Sequence, residues 1–202
     1  MNVAIVKYNA GNVCSVENAL KRLGVEPIVT DSRDELQSAD GVIFPGVGEA
    51  STAMRYLRTR ELDQTIRSLT KPVLGVCLGM QLLGASSAEN ETECLGILPF
   101  RTEKFETRKF ESASEKVPHV GWNQIGNLKT RLFENVPENS FVYFVHSYFV
   151  QPNAATIAET DYIEQFSAAV NCRNFYAVQF HTEKSGETGA QILKNFLEIC
   201  SR

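Results

Sequence analysis

Apolar residues fall into two periods along the first half of the chain. Asn2 to Tyr8 carries Val3, Ala4, Ile5 and Val6 as an unbroken run, as expected of a strand buried on both faces. From Val13 to Leu23 the apolar positions Val13, Val16, Leu20 and Leu23 recur at helical spacing, and Gly24 supplies a stop. Pro27 to Thr30 and Asp40 to Pro45 read as further strands, the second running into Gly46 and Gly48. A helix is predicted from Glu49 to about Leu69, a strand from Pro72 to Val76, and another helix opening at Gly79. Strands separated by helices imply parallel pairing through right-handed crossovers.

The second half is richer in strands: Phe141 to Val145, Thr156 to Glu159, Phe166 to Cys172 and Phe175 to Phe180. Gly186 to Cys200 closes as a helix whose core side carries Ile192, Leu193, Phe196, Leu197 and Ile199. Arg101 to Lys116 is charged and without clear period, and reads as a surface hairpin or loop. There are no repeats or low-complexity tracts. Residues 1–202 therefore read as one α/β domain, with a mixed, mostly parallel central sheet flanked by helices.

Composition narrows the function. At 202 residues, 43% hydrophobic and 22% charged, the chain has the balance of a soluble globular domain. A net charge of -4 argues against a nucleic-acid or anionic-membrane surface. No apolar run is long enough to cross a bilayer, and MNVAIVKYNAGN lacks the basic start and cleavage site of a signal peptide. Cys14, Cys77, Cys94, Cys172 and Cys200 are odd in number and lack metal-ligand spacing, so they are expected as reduced thiols in the cytoplasm. With no Walker loop either, no nucleotide or metal cofactor is expected.

Gly75-Val76-Cys77-Leu78-Gly79 is the cysteine form of a nucleophile elbow, in which a strand turns abruptly into a helix and leaves the nucleophile at the apex. Gly75 and Gly79 supply the room, and a helix N-terminus favours a thiolate. The plainer alternative is a buried cysteine between two incidental glycines. A thiol needs a base, and only His119, His146 and His181 are available. His181 follows the strand FYAVQF and precedes Glu183 by two residues, so the carboxylate can fix the imidazole tautomer. Alone, such a pair is more commonly a loop histidine beside a solvated glutamate.

Acyl transfer also needs donors for the developing oxyanion. The Leu78 amide is one candidate, and Pro45-Gly46-Val47-Gly48, at the end of a neighbouring strand, offers another. Loops at the carboxyl ends of parallel strands share one crevice, so the two would converge there. Glycine also lets a peptide plane rotate, which could turn an amide toward or away from the oxyanion.

FPGVGEA, GVCLGMQLL and QFHTEKSG, in that order, resemble the class I, triad-type glutamine amidotransferases, whose fold is flavodoxin-like. KYNAGN (7–12), KVPHVGWN (116–123) and YFVHSYFV (143–150) narrow the resemblance to the family of glutaminase subunits of imidazole glycerol phosphate synthase, over nearly the whole chain. The resemblance implies that Cys77 attacks the carboxamide of glutamine, His181 shuttles protons and Glu183 orients His181. It implies an oxyanion hole from Val47 and Leu78, with Gly46 and Gly48 lining the site. Gln81 and Glu89 would contact the amino-acid end of the substrate, Ser147 and Tyr148 its carboxylate. Asn12, Trp122 and Lys184 would face a partner, a (β/α)8-barrel cyclase forming a heterodimer with the chain. That partner would use the ammonia to make imidazole glycerol phosphate and aminoimidazole carboxamide ribonucleotide in histidine biosynthesis.

One departure is visible: the family usually has proline after the catalytic histidine, and here it is Thr182. His119 and His146 are expected to serve packing or an interface, and Cys14, Cys94, Cys172 and Cys200 to be structural. The alternatives are a glutaminase subunit of another ammonia-using synthase on the same scaffold, and a flavodoxin-like binding module that keeps a cysteine without using it.

Overall fold

A strand with no polar face must be covered on both sides. The computed structural model, which describes residues 1–9, 12–106 and 116–202, covers it with helices. The first half runs β1 (Val3–Val6), α1 (Val13–Arg22), β2 (Ile28–Thr30), α2 (Arg33–Ser38), β3 (Gly41–Gly46), α3 (Ala50–Thr59), α4 (Leu62–Arg67), β4 (Val73–Cys77) and α5 (Leu78–Leu83). The second half runs β5 (Ser86–Ser87), β6 (Thr92–Glu93), β7 (Arg101–Lys104), β8 (His119–Ile125), β9 (Ser140–His146), β10 (Tyr148–Val150), β11 (Thr156–Asp161), β12 (Gln165–Cys172), β13 (Phe175–Val178) and α6 (Gly186–Cys200).

The main sheet has seven strands in the order β11-β12-β13-β4-β3-β1-β2. The pairings from β13 through to β2 are parallel, and β12 is antiparallel to both β13 and β11. Alternate residues of each strand serve opposite faces. Val3, Ile5, Ile43, Leu74 and Val76 share a core with Val16 and Leu20 of α1 and with Ile192 and Phe196 of α6. Ala4, Val6, Val42, Phe44 and Val73 pack instead with Met54 and Leu57 of α3, Ile66 of α4 and Leu82 of α5. The result is a three-layer α/β/α arrangement in which β3, β4 and β13 are neighbours, so their carboxyl ends open side by side. Among the described residues, no helix is long and apolar enough to cross a membrane.

Two expectations need correction. The helix predicted from Glu49 to Leu69 is two helices, because Glu61 takes a left-handed conformation (φ 55°) between them. The buried stripe Ala50, Ala53, Met54, Leu57 would continue at position 61, which is an exposed glutamate; the break re-phases the chain so that Leu62 and Ile66 reach the core. The segment Arg101 to Lys116 is not wholly a surface hairpin or loop. Arg101–Lys104 is an internal strand of a second sheet, β10-β7-β5-β6, with Thr102 and Phe105 buried. Residues 107–115 lie outside the described residues.

A third unit, the antiparallel ribbon β8–β9, pairs Trp122 with Tyr143 and His119 with His146. The second sheet and this ribbon wall off the space above the carboxyl ends of β3 and β4.

Candidate active site

Cys77 ends β4 and caps α5 with φ 54° and ψ -111°, a backbone conformation that costs a non-glycine residue energy and places its side chain at the apex of the turn. The flanking glycines are required by contact. A Cβ on Gly79 would lie 1.8 Å from the Phe44 carbonyl oxygen of the neighbouring strand. One on Gly75 would lie 3.1 Å from both the Gly79 carbonyl and the Ala177 Cβ.

His181 follows β13, the other neighbour of β4, and its N–H donates to the Tyr143 carbonyl at 2.9 Å. A 3-10 turn over Thr182–Lys184 folds Glu183 back, bringing its Oε1 to 2.6 Å from His181 Nδ1. The carboxylate can only accept, so Nδ1 carries a hydrogen in either charge state and Nε2 is the atom left to gain and lose a proton. Both side chains are buried, and Nε2 has no hydrogen-bond partner. Burial opposes a charge on His181. The Cys77 sulfur and the Glu183 carboxylate outweigh it and carry the imidazole up to about 10. The turn keeps its shape without proline because α6 packs on it: a Cβ at Gly189 would lie 1.9 Å from the Thr182 carbonyl oxygen.

Cys77 opens into a cavity of about 270 Å³. Of the residues expected to bind substrate or oxyanion, Val47, Gly48, Leu78, Gln81, Glu89, Ser147 and Tyr148 all line it. Gly46 does not. It is buried at the end of β3, where a Cβ would meet the Tyr8 hydroxyl at 2.3 Å and the Leu78 Cβ at 2.9 Å, so its smallness serves packing beneath the turn. Both N–H groups of Gln81 are engaged inside the protein, on the Tyr148 carbonyl (3.1 Å) and on Gln179 Oε1 (2.9 Å), leaving its oxygen for a ligand. Glu89 accepts from the Ala50 N–H at the start of α3 at 2.7 Å; burial holds its carboxyl above the ordinary value, against the pull of that N–H.

This constellation has close relatives. Residues 5–200 match the glutamine amidotransferase class-I family. The chain is 56% identical over 199 residues to the imidazole glycerol phosphate synthase subunit HisH of Bacteroides fragilis, covering 98% of this chain and 100% of that one. It is 45% identical over 201 residues to the same-named subunit of Escherichia coli (strain K12), with the same coverage. The chain belongs to the class-I glutamine amidotransferases, in the HisH family. Its fold is also that of PurLQS from Thermotoga maritima (TM-score 0.70, 18% identity, 98% of this chain and 97% of that one).

In this HisH-family chain the three residues expected at a partner interface divide. Trp122 is 55% exposed and packs edge-on against Tyr143, over whose ring the exposed Lys184 reaches. Val120 and Phe141 lie on the same face of the ribbon, also more than half exposed. Asn12 turns inward instead: its side-chain amide donates to Glu183 Oε1, the oxygen that also accepts from His181.

Two residues at the site, Tyr8 and Gln179, escaped the sequence reading, and a third, His146, was expected only for packing or an interface. Tyr8 donates to the Pro45 carbonyl at 2.6 Å and props the glycine turn; burial pushes its phenol well above the ordinary value, so it stays neutral. Gln179, fully buried, donates to Cys77 Sγ at 3.7 Å, and the thiol itself lies 3.8 Å from the Val145 carbonyl. His146 lines the cavity and pairs with His119, a pairing no sequence period announces. The one available signal for Gln179 was its place two residues before His181.

Proposed function

We propose that Cys77, His181 and Glu183 hydrolyse glutamine to glutamate and ammonia, and that the ammonia passes to a cyclase partner which makes imidazole glycerol phosphate. The observation that carries this reading is a strained cysteine at the floor of the cavity, one strand away from a buried His181–Glu183 pair. The Cys77 thiolate attacks the carboxamide carbon, and the carbonyl electron pair moves to oxygen, which takes hydrogen bonds from the Val47 and Leu78 amides. His181 gives its proton to the departing nitrogen, the C–N bond breaks, and ammonia leaves behind a glutamyl thioester. A water that loses its proton to His181 then attacks the thioester. The C–S bond breaks, glutamate is released and the thiolate returns.

Glu89 and the Gln81 oxygen suit the substrate ammonium, while the backbone of Ser147 and Tyr148 suits its carboxylate. Gly48 completes the turn at φ 106°, a conformation open to glycine. Ammonia in water at neutral pH is largely ammonium, which is not a nucleophile, so a closed route to the acceptor site avoids that loss. The exposed face of Val120, Trp122, Phe141, Tyr143 and Lys184 is the docking surface this reading assigns to the cyclase, as a heterodimer. The reaction runs in the cytoplasm, where five free cysteines remain reduced.

The test is co-purification with the cyclase subunit, followed by glutaminase assays on the isolated chain, the complex and the complex with the acceptor ligand. A stable complex with increased glutaminase activity is expected. Failure to associate, or hydrolysis indifferent to the cyclase and its ligand, would overturn the assignment.

A further inference from the structure

The nucleophile has two polar neighbours besides the triad. Val145 offers a carbonyl, which can only accept; Gln179 Nε2 sits 3.7 Å from the sulfur and donates. An amide can be turned either way round, so its orientation must be argued from its other partners. The Tyr148 carbonyl is an obligate acceptor, so the group of Gln81 that meets it at 3.1 Å is its NH₂. The same nitrogen lies 2.9 Å from Gln179, which must therefore present its oxygen there. Only one end of Gln179 remains for Cys77, and it is the NH₂. Gln81 and Gln179 are both buried, at 5% and 0% exposure, so no solvent competes for these bonds.

From this chain of obligations we infer that Gln179 is a catalytic residue: its side-chain amide donates a hydrogen bond to the Cys77 sulfur and favours its anionic form. Gln81 is the positioning residue that keeps the donor facing the sulfur. The inference rests on Cys77 being the nucleophile. The bond serves both half-reactions. Before attack it stabilises the negative charge on sulfur; in thioester hydrolysis, when the C–S electron pair returns to sulfur, it stabilises the departing thiolate. Gln179 also couples the nucleophile to the substrate segment, since Gln81 holds the Tyr148 carbonyl as well. The remaining titratable groups around the sulfur are His181 beyond β13, with Glu183 behind it, Tyr8 beyond β1, His146 at the end of β9, and Glu89 across the cavity. All are retained in the variants below.

The test is the pH–rate profile for alkylation of the full chain by iodoacetamide, with the modified residue mapped by mass spectrometry. Q179M removes the donor at similar size; its profile should move upward by about one pH unit, with the rate at neutral pH falling about tenfold. Q179E replaces the donor by an anion and should move the profile further. Q81M leaves Gln179 free to turn, and should move it in the same direction by less. Circular dichroism identifies a variant that fails to fold, and the others are then read by the same criterion. Profiles for Q179M and Q179E that superimpose on that of the unmodified protein would overturn the inference alone. Absence of alkylation at Cys77 in the unmodified protein would instead overturn the nucleophile reading beneath it.

Discussion

His119 Nδ1 lies 3.1 Å from His146 Nε2, and His146 Nδ1 lies 2.8 Å from the Tyr148 carbonyl. The carbonyl accepts, so His146 donates through Nδ1 and accepts through Nε2, which requires His119 to donate from Nδ1. Two protonated rings would set one N–H against the other here, and every contact is satisfied with both rings neutral. Burial enforces that, lowering His119 to about 4 and His146 to about 3, the latter also through the neighbouring His119 and His181. In the unfolded chain both titrate near their ordinary value of about 6.5. Between these limits the unfolded state binds protons that the folded state refuses, so stability falls as pH drops below about 6.5 and is insensitive to these groups above neutrality. The urea midpoint should therefore be lower at pH 5 than at pH 7. H119F, whose ring can occupy the slot between Tyr162 and Phe144, should flatten that dependence by about one proton. An unchanged slope in H119F would contradict the account.

The elbow makes a steric prediction. With the Phe44 carbonyl 1.8 Å from any Cβ at position 79, G79A must push β3 and α5 apart. It should lose about 1–3 kcal/mol or more by denaturant unfolding, together with most activity. G48A meets no atom within 4 Å, and its cost arises from φ 106° alone. It should be milder in stability while still disturbing the turn that carries Val47. Equal stability of G79A and the unmodified chain would show that the elbow is looser than described.

Much of this fold was legible because a parallel sheet buried on both faces writes itself as unbroken apolar runs, as in Val3 to Val6 and Val73 to Val76. The sharp turn at Cys77 and the His181–Glu183 contact were legible because elbow and His-x-Glu spacing are local. What escaped depended on contacts between distant segments. Strand β7 is Arg-Thr-Glu-Lys, with only Thr102 buried, so no alternation marked it. Strands β8 and β10 were missed, and β8 inverts the usual alternation, with Val120 and Trp122 on its exposed face and His119 and Asn123 on the other. Gly46 looked like a site residue, but its close neighbour is Tyr8, 38 positions away in the chain and invisible as a contact until the strands pair. Asn12 was expected to face the partner, and the contact of its amide with Glu183, 171 positions away, had no local signal.

The Asn12 contact separates two roles. If its amide serves chiefly to hold Glu183, N12A should lower glutaminase turnover in the complex by about tenfold while leaving affinity for the cyclase within a few-fold, since one hydrogen bond to a charged group is at stake. K184A and W122A, on the exposed face, should do the reverse and weaken association first. Titration of complex formation, run beside the turnover assay, checks both. A purely affinity-based defect in N12A would return Asn12 to the interface.

His181 and His146 can be ranked against each other. H181A should reduce turnover by about 10²–10⁴-fold, as general acid–base catalysis typically supplies. E183Q should cost less, because the amide still occupies the place that orients Nδ1. H146Q should act through KM for glutamine more than through kcat, because His146 touches the Tyr148 carbonyl and not the sulfur. If H146Q matched H181A in kcat with its fold intact, the wrong histidine would have been named as base.

The central claim is that Cys77 is the nucleophile that makes ammonia for a reaction completed on another chain. The most direct measurement is the activity of C77A in the assembled complex, assayed once with glutamine and once with an ammonium salt as nitrogen source. Glutamine hydrolysis and glutamine-dependent synthesis should be abolished while ammonium-dependent synthesis by the cyclase persists; retained glutaminase activity in C77A would contradict the claim.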